Sequence, residues 1–230
     1  MKDDKKIEKL NTLKKIIKQK ILAIGDSGVG KSSLVSKVFG KSIKNEKGEE
    51  SNEIAYFSMT KEFGENIINY EIWDTCIKFE NPIIIPELAK EMSLVIIVYS
   101  IDDEASFNHL ENWFNLIKGI KDMSKIIILG NKADLSHRRV YSEEKSIELL
   151  EDFWEKKGIK TYLESSAEEE KSVKELAELI NNNAVKGFKH TESIENEKKG
   201  KAKIVEKKNN FCSSCFKWCF SYFFDYLFQN

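Results

Sequence analysis

At 230 residues the chain has room for one α/β domain with a full core plus tails, and 37 Lys and Arg against 38 Asp and Glu leave a net charge of −1, which offers nothing to a nucleic-acid backbone. One cysteine stands alone at Cys76 and three crowd together at Cys212, Cys215 and Cys219, so there is no disulfide framework. Residues 1–20 are rich in lysine but never become a continuous apolar segment, so no secretory signal is visible, and Asp3, Asp4 and Glu8 in the absence of arginine argue against a transit peptide; the expected location is the cytosol or the cytoplasmic face of a membrane.

Residues 1–15 form an N-terminal extension in which Ile7, Leu10, Leu13 and Ile17 fall near helical spacing, a pattern that fits a solvated or frayed helical end. A strand is expected over about 17–24, and it runs into Gly25-Asp26-Ser27-Gly28-Val29-Gly30-Lys31-Ser32-Ser33, which has the spacing G-x-x-x-x-G-K-S. Glycines in this pattern let successive main-chain N–H groups turn toward a diphosphate, and the helix starting there, expected to reach about Phe39, adds its positive end. Lys31 is placed to reach the β- and γ-phosphates and the Ser32 hydroxyl to ligate Mg²⁺. The polar segment 40–52 has no period and reads as a loop.

Two strands follow, at about 54–62 and 67–73, joined by a turn at Gly64-Glu65-Asn66. The second ends in Ile72-Trp73-Asp74-Thr75, where Asp74 is the candidate second anchor for Mg²⁺, through a water. Both prolines of the chain, Pro82 and Pro86, come next, so a regular helix is not expected to begin before Pro86. Leu94 to Tyr99 is a continuous apolar run, the mark of a strand covered on both faces. A helix is expected from about Glu104 to Lys118 with Phe107, Leu110, Trp113, Phe114 and Ile117 on one core-facing stripe. A second buried strand, 126–129, leads into Gly130-Asn131-Lys132-Ala133-Asp134; then come a helix (143–157), a strand (159–163), Ser165-Ser166-Ala167 and a helix (172–186). This alternation implies an α/β fold, a doubly wound, mostly parallel sheet with helices on both faces and ligand loops at the carboxyl ends of its strands.

Asn131-Lys132-Ala133-Asp134 has the chemistry to choose guanine. A carboxylate in the plane of the base accepts from N1–H and the 2-amino group together, and adenine presents no matching pair of donors. The Lys132 stem can cover the base, Asn131 can tie the loop to its neighbours, and Ser166-Ala167, followed by Glu168, can present a main-chain N–H to O6.

The succession G-D-S-G-V-G-K-S (25–32), I-W-D-T (72–75), N-K-A-D (131–134) and E-S-S-A (164–167) resembles the Ras superfamily of small GTPases, and is most similar to its Rab branch, which the stretch from Tyr99 to Ile117 also matches. The resemblance covers about residues 16–188. It implies a six-stranded sheet with five helices, GTP or GDP with Mg²⁺ as ligands, hydrolysis of GTP, effector and regulator proteins as partners, a monomer, and two switch loops that report the bound nucleotide. The chain departs from the family where hydrolysis is performed. Ile77 stands at the glycine position of the second switch and Lys78 at that of the water-orienting glutamine, so slow turnover is expected; the extreme is a GTP-binding scaffold that does not turn over. In the first switch the nearest candidate for the Mg²⁺-binding threonine is Ser51, about one residue out of register, and Ile43 takes the place of the aromatic that edges the base. Weaker nucleotide retention follows. A kinase or ATPase built on the same phosphate loop is disfavoured by Asn131–Asp134 and by the lack of a lid segment.

Residues 189–210 read as a polar, lysine-rich linker, and of the eighteen residues from Phe211 to Phe228 nine are aromatic. The family's prenylated C-terminal cysteines have no counterpart here, so membrane contact would rest on interfacial insertion of the aromatic segment, on acylation of Cys212, Cys215 or Cys219, or on both. Packing of the tail on the domain, or a metal held by the three cysteines, are the alternatives.

Overall fold

The computed structural model describes residues 14–40, 54–75, 83–120, 122–159 and 161–201, without the side chains of 152–157 and 188–201. Ile43, Ser51, Cys76, Ile77, Lys78, Cys212, Cys215 and Cys219 lie outside the described residues, as do most of the N-terminal extension, the 40–52 loop beyond Gly40 and the aromatic tail. The strands are β1 (Lys15–Ile24), β2 (Ile54–Phe63), β3 (Asn66–Thr75), β4 (Leu94–Ser100), β5 (Ile126–Asn131) and β6 (Thr161–Glu164). The helices are α1 (Lys31–Phe39), α2 (Ile85–Lys90), α3 (Glu104–Asn108), α4 (Leu110–Ile117), α5 (Glu143–Lys157) and α6 (Glu170–Lys201). Residues 1–190 cluster as one compact unit and 191–230 as a second.

The six strands form one sheet in the order β2-β3-β1-β4-β5-β6. Only the β2–β3 pair is antiparallel; every other neighbour is parallel. Its two faces carry separate cores, and the period-2 alternation of side chains decides which residue goes where. Ile21 and Ala23 of β1, Leu94, Ile96 and Val98 of β4, and Ile127 and Leu129 of β5 pack with Leu34, Val35 and Val38 of α1 and Leu176 and Ile180 of α6. Leu22, Ile24, Val95, Ile97, Tyr99, Ile126 and Ile128 point the other way, onto Ile85 and Ala89 of α2, Leu110, Trp113, Phe114 and Ile117 of α4, and Leu150 of α5. β4 and β5 are buried at every residue, as their unbroken apolar runs require. Each fully buried Leu or Ile contributes roughly 1.5–3 kcal/mol relative to exposure. All six strands therefore sit between packed layers or against a paired neighbour, and the loops at their carboxyl ends are held from below.

Several element boundaries differ from the sequence reading. The helix expected over 104–118 is two pieces. Asp103 caps α3 through the N–H groups of Ala105 and Ser106, the His109 N–H returns to Ala105, and the His109 carbonyl starts α4 by accepting from Trp113 N–H at 3.0 Å. Among the described residues the five helices implied by the family resemblance become six by this break alone. α2 begins at Ile85, one residue ahead of Pro86, because a proline in the first turn forfeits only an N–H that has no partner there. The last strand starts at Thr161, paired with Ile127, while Ile159 is buried in the core without belonging to the strand. β5 continues through Gly130 to Asn131, two residues further than the apolar run. The last helix begins at Glu170 and passes Gly187 to Lys201, where the sequence reading stops it near Lys186. One interior glycine costs a helix only about 1 kcal/mol, and the Glu- and Lys-rich residues beyond it are good helix formers.

Candidate functional site

The phosphate loop leaves β1 at Gly25 and enters α1 at Lys31. Gly25 (φ +143°), Gly28 (φ +80°) and Gly30 (φ +91°) all occupy backbone territory that side chains disfavour. At two of them space forbids a side chain as well: a Cβ on Gly25 would sit 2.1 Å from the Val98 carbonyl oxygen, and one on Gly30 would sit 2.2 Å from Asn131 Nδ2. α1 begins at Gly30 with no side-chain cap, which leaves its first-turn N–H groups for an anion. Ser27, Gly28 and Ser33 are exposed on the rim and Val29 is buried beneath it. Lys31 is only 6% exposed, and its ammonium donates to the carbonyls of Gly25 (2.8 Å) and Asp26 (2.6 Å), folding the chain into a cradle.

β3 ends beside this loop. Thr75 Oγ1 donates to the Ala23 carbonyl at 2.8 Å, pinning the strand end to β1. Asp74 is fully buried, and among the described residues neither of its carboxylate oxygens has a hydrogen-bond partner of good geometry. Burial pushes its pKa up, and the nearby Ser32 hydroxyl and the Lys31 charge oppose this without overcoming it. An unpaired buried carboxylate is costly unless a cation or its waters complete it. With Ser32 alongside, Asp74 fits the position of a residue that holds Mg²⁺ through water.

The base loop follows β5. Asn131 is 1% exposed, and its Nδ2 donates to the Val29 carbonyl at 2.7 Å, so base loop and phosphate loop are joined directly. Lys132 adopts φ +65°, a left-handed conformation rare outside glycine, and is held there by Ala133 N–H to the Ser165 carbonyl and Leu135 N–H to its own carbonyl. Its ammonium lies 3.8 Å from Asp102 Oδ1, and the Arg138 guanidinium lies 3.8 Å from Asp102 Oδ2. A 2.5 Å hydrogen bond from the Ser100 hydroxyl, helped by these two cations, holds the Asp102 carboxyl below its ordinary value. Asp134 is exposed and accepts from the Ser166 hydroxyl at 2.5 Å, which fixes one carboxylate oxygen.

The Ser166 main-chain N–H is taken by Ser172 Oγ at 3.0 Å because the start of α6 folds back over it, so of Ser166-Ala167 only Ala167 offers a main-chain donor to a base. Glu168 is exposed and gives its N–H to Ser166 Oγ. All described candidates, Gly25 to Ser33, Asp74, Asn131, Lys132, Asp134 and Ser166 to Glu168, fall at the carboxyl ends of β1, β3, β5 and β6, as in other open α/β sheets.

These observations decide the family. A model of the Ras family matches residues 20–186. The chain belongs to the Ras family of small GTPases. Within it the likeness is to Rab proteins. The GTPase is 32% identical over 161 residues to Ras-related protein Rab-21 of Geodia cydonium, covering 70% of this chain and 68% of that one. It is 30% identical over 163 residues to Ras-related protein RABF2a of Arabidopsis thaliana (70% and 78%), and 28% identical over 180 residues to Ras-related protein Rab-7a of Dictyostelium discoideum (75% and 85%).

Several residues that shape the GTPase site escaped the sequence reading. Arg139 forms a two-pronged contact with Glu164, at 2.8 and 2.5 Å, and Tyr162 donates to the same carboxylate at 2.5 Å. Burial pushes the Glu164 pKa up, but the hydrogen bonds from Arg139 and Tyr162, with the Arg139 charge, more than offset it and leave the carboxyl low. Gly130 is glycine because a Cβ there would meet Tyr99 Oη at 2.8 Å and the Glu164 stem at 3.2 Å. Trp113, expected only as core, also donates from Nε1 to Asp26. No helix among the described residues is long and apolar enough to cross a membrane.

Proposed function

We propose that this Rab-like protein is a guanine-nucleotide switch, binding GTP or GDP with Mg²⁺ and recruiting effector and regulator proteins in vesicle traffic or signalling. The observation that carries the reading is the 2.7 Å hydrogen bond from Asn131 to Val29, packed on a glycine that leaves room for nothing else. It ties the loop that carries a carboxylate suited to guanine to a cradle suited to a diphosphate, which supports one ligand bridging both. Lys31 and the first-turn N–H groups of α1 bind phosphate oxygens, and Asp134, braced by Ser166, reads the guanine edge. Ser32 and Asp74 would hold Mg²⁺, which when bound would supply positive charge against the phosphates. Displacement of a fluorescent GDP analogue tests this: GDP and GTP should compete far better than ADP and ATP. Equal competition by the adenine nucleotides refutes it.

Ile77 and Lys78 make intrinsic hydrolysis slow, since a β-branched residue resists close approach of its N–H to the γ-phosphate and a lysine accepts no hydrogen bond from the attacking water. Single-turnover hydrolysis by Ile77→Gly with Lys78→Gln should exceed that of the unsubstituted chain; no gain removes the explanation. The 189–210 segment, helical as far as Lys201, brings six lysines between Glu195 and Lys208 toward an anionic leaflet, and the 211–230 segment inserts at the interface or is acylated at Cys212, Cys215 or Cys219. Deleting 211–230 should release the protein from membranes to the cytosol, and continued co-sedimentation with membranes refutes the anchor.

A further inference from the structure

Asp26 works on both of its sides. Its main-chain carbonyl accepts from the Lys31 ammonium at 2.6 Å, while its carboxylate turns away from the cradle toward α4. There Oδ2 meets His109 Nδ1 at 2.6 Å and Oδ1 accepts from Trp113 Nε1–H at 2.6 Å. The two donors come from the one-residue break between α3 and α4 and from the first turn beyond it. Trp113 is 1% exposed and immobilised in the core, whereas the His109 side chain is 40% exposed. A continuous helix over 104–117 has no reason to be interrupted at this point by composition, since no proline or glycine occurs there. At this interruption a ring nitrogen lies within hydrogen-bond distance of the phosphate loop.

We propose that His109 and Trp113 are positioning residues for the phosphate loop: by holding both oxygens of the Asp26 carboxylate they fix the carbonyl that orients Lys31, and so set how long a nucleoside diphosphate is retained. The inference rests on the guanine-nucleotide reading and extends it to residues that touch no ligand. Both contacts to the carboxylate are short and charge-assisted, the stronger class of hydrogen bond. With its proton on Nδ1 the imidazole donates whether neutral or cationic. Asparagine carries its amide nitrogen at the same δ position as that ring nitrogen, and glutamine carries it one atom further out. This difference in reach separates a hydrogen bond made at the δ position from general packing by the side chain.

The test is the release rate of a fluorescent GDP analogue from the full chain in Mg²⁺, together with the preference for GDP over IDP, which lacks the 2-amino group. His109→Leu and His109→Gln should each speed release about tenfold, equivalent to about 1.4 kcal/mol. His109→Asn should stay within about threefold of the unsubstituted protein, and Trp113→Phe, which keeps a ring but loses the donor, should speed release as His109→Leu does. The GDP-to-IDP preference should not move in any variant, because Asp134 and its Ser166 contact lie on the base side. Release by His109→Leu at the unsubstituted rate overturns the proposal. So does failure of asparagine to outperform glutamine, or a parallel loss of base preference, which would mark a general loosening. An unsubstituted protein that retains no guanine nucleotide defeats the functional reading at the first measurement, before any variant is compared.

Discussion

Replacing Arg139 by methionine should destabilise the domain chiefly through the carboxylate it leaves behind. The Arg139 and Glu164 side chains are 15% and 12% exposed, and the guanidinium faces both carboxylate oxygens. Breaking such a buried pair on one side costs about 3 kcal/mol, because Glu164 remains buried with only Tyr162 to satisfy it. For a domain of this size that is roughly 6–12 °C in melting temperature, measured at fixed GDP and Mg²⁺ because bound ligand shifts the midpoint. The pH dependence follows from the sign of the Glu164 shift. In the unsubstituted protein this carboxyl titrates below its ordinary 4.5, so its stabilisation is complete above that value and is lost as the pH falls through the lower, folded value. In Arg139→Met burial acts with less opposition, the carboxyl rises, and acid protonates it sooner. The gap between the two proteins should therefore be full at pH 7 and narrow as the pH drops. Adding Glu164→Leu to Arg139→Met should recover at least half of the loss, since no charge is then stranded. A gap that ignores pH, or a double variant no better than the single one, would refute the reasoning.

Three further outcomes are expected. Asp134→Asn should lose preference for guanine and gain affinity for xanthine nucleotides, because its amide donates where xanthine carries an oxygen; competition by xanthosine diphosphate measures it. Gly30→Ala should cost about 3 kcal/mol in nucleotide binding, from positive-φ strain and from displacement of Asn131, which then leaves its Val29 hydrogen bond; retention of GDP through gel filtration checks this. Asp74→Asn should melt in EDTA at or above the temperature of the unsubstituted chain, since an unpaired buried charge is gone, yet lose most of the stabilisation that Mg²⁺ adds with GDP. An unchanged Mg²⁺ response would remove Asp74 from the metal site.

The order of elements was legible because it is written in local pattern. Unbroken apolar runs at 94–99 and 126–129 mark β4 and β5, and G-x-x-x-x-G-K-S, D-T and N-K-x-D each end or follow a strand, so topology alone gathers them at the carboxyl ends of the parallel strands. The boundaries that shifted did so for tertiary or capping reasons. His109 breaks a helix whose local sequence favours continuity, and β5 extends to Asn131 because β4 pairs with it there.

What the chain alone determined was the family and the fold, and it named the candidate ligand residues, since these depend on short spacings and on the period of side-chain burial. Only the folded molecule decided what braces them. Asp26 meets His109 and Trp113 across 83 and 87 residues, and Arg139 meets Glu164 across 25. No spacing rule encodes such pairs. They arise because the parallel sheet brings the ends of distant strands together, and because a carboxylate or guanidinium shut away from water must find its partner among whatever that packing delivers.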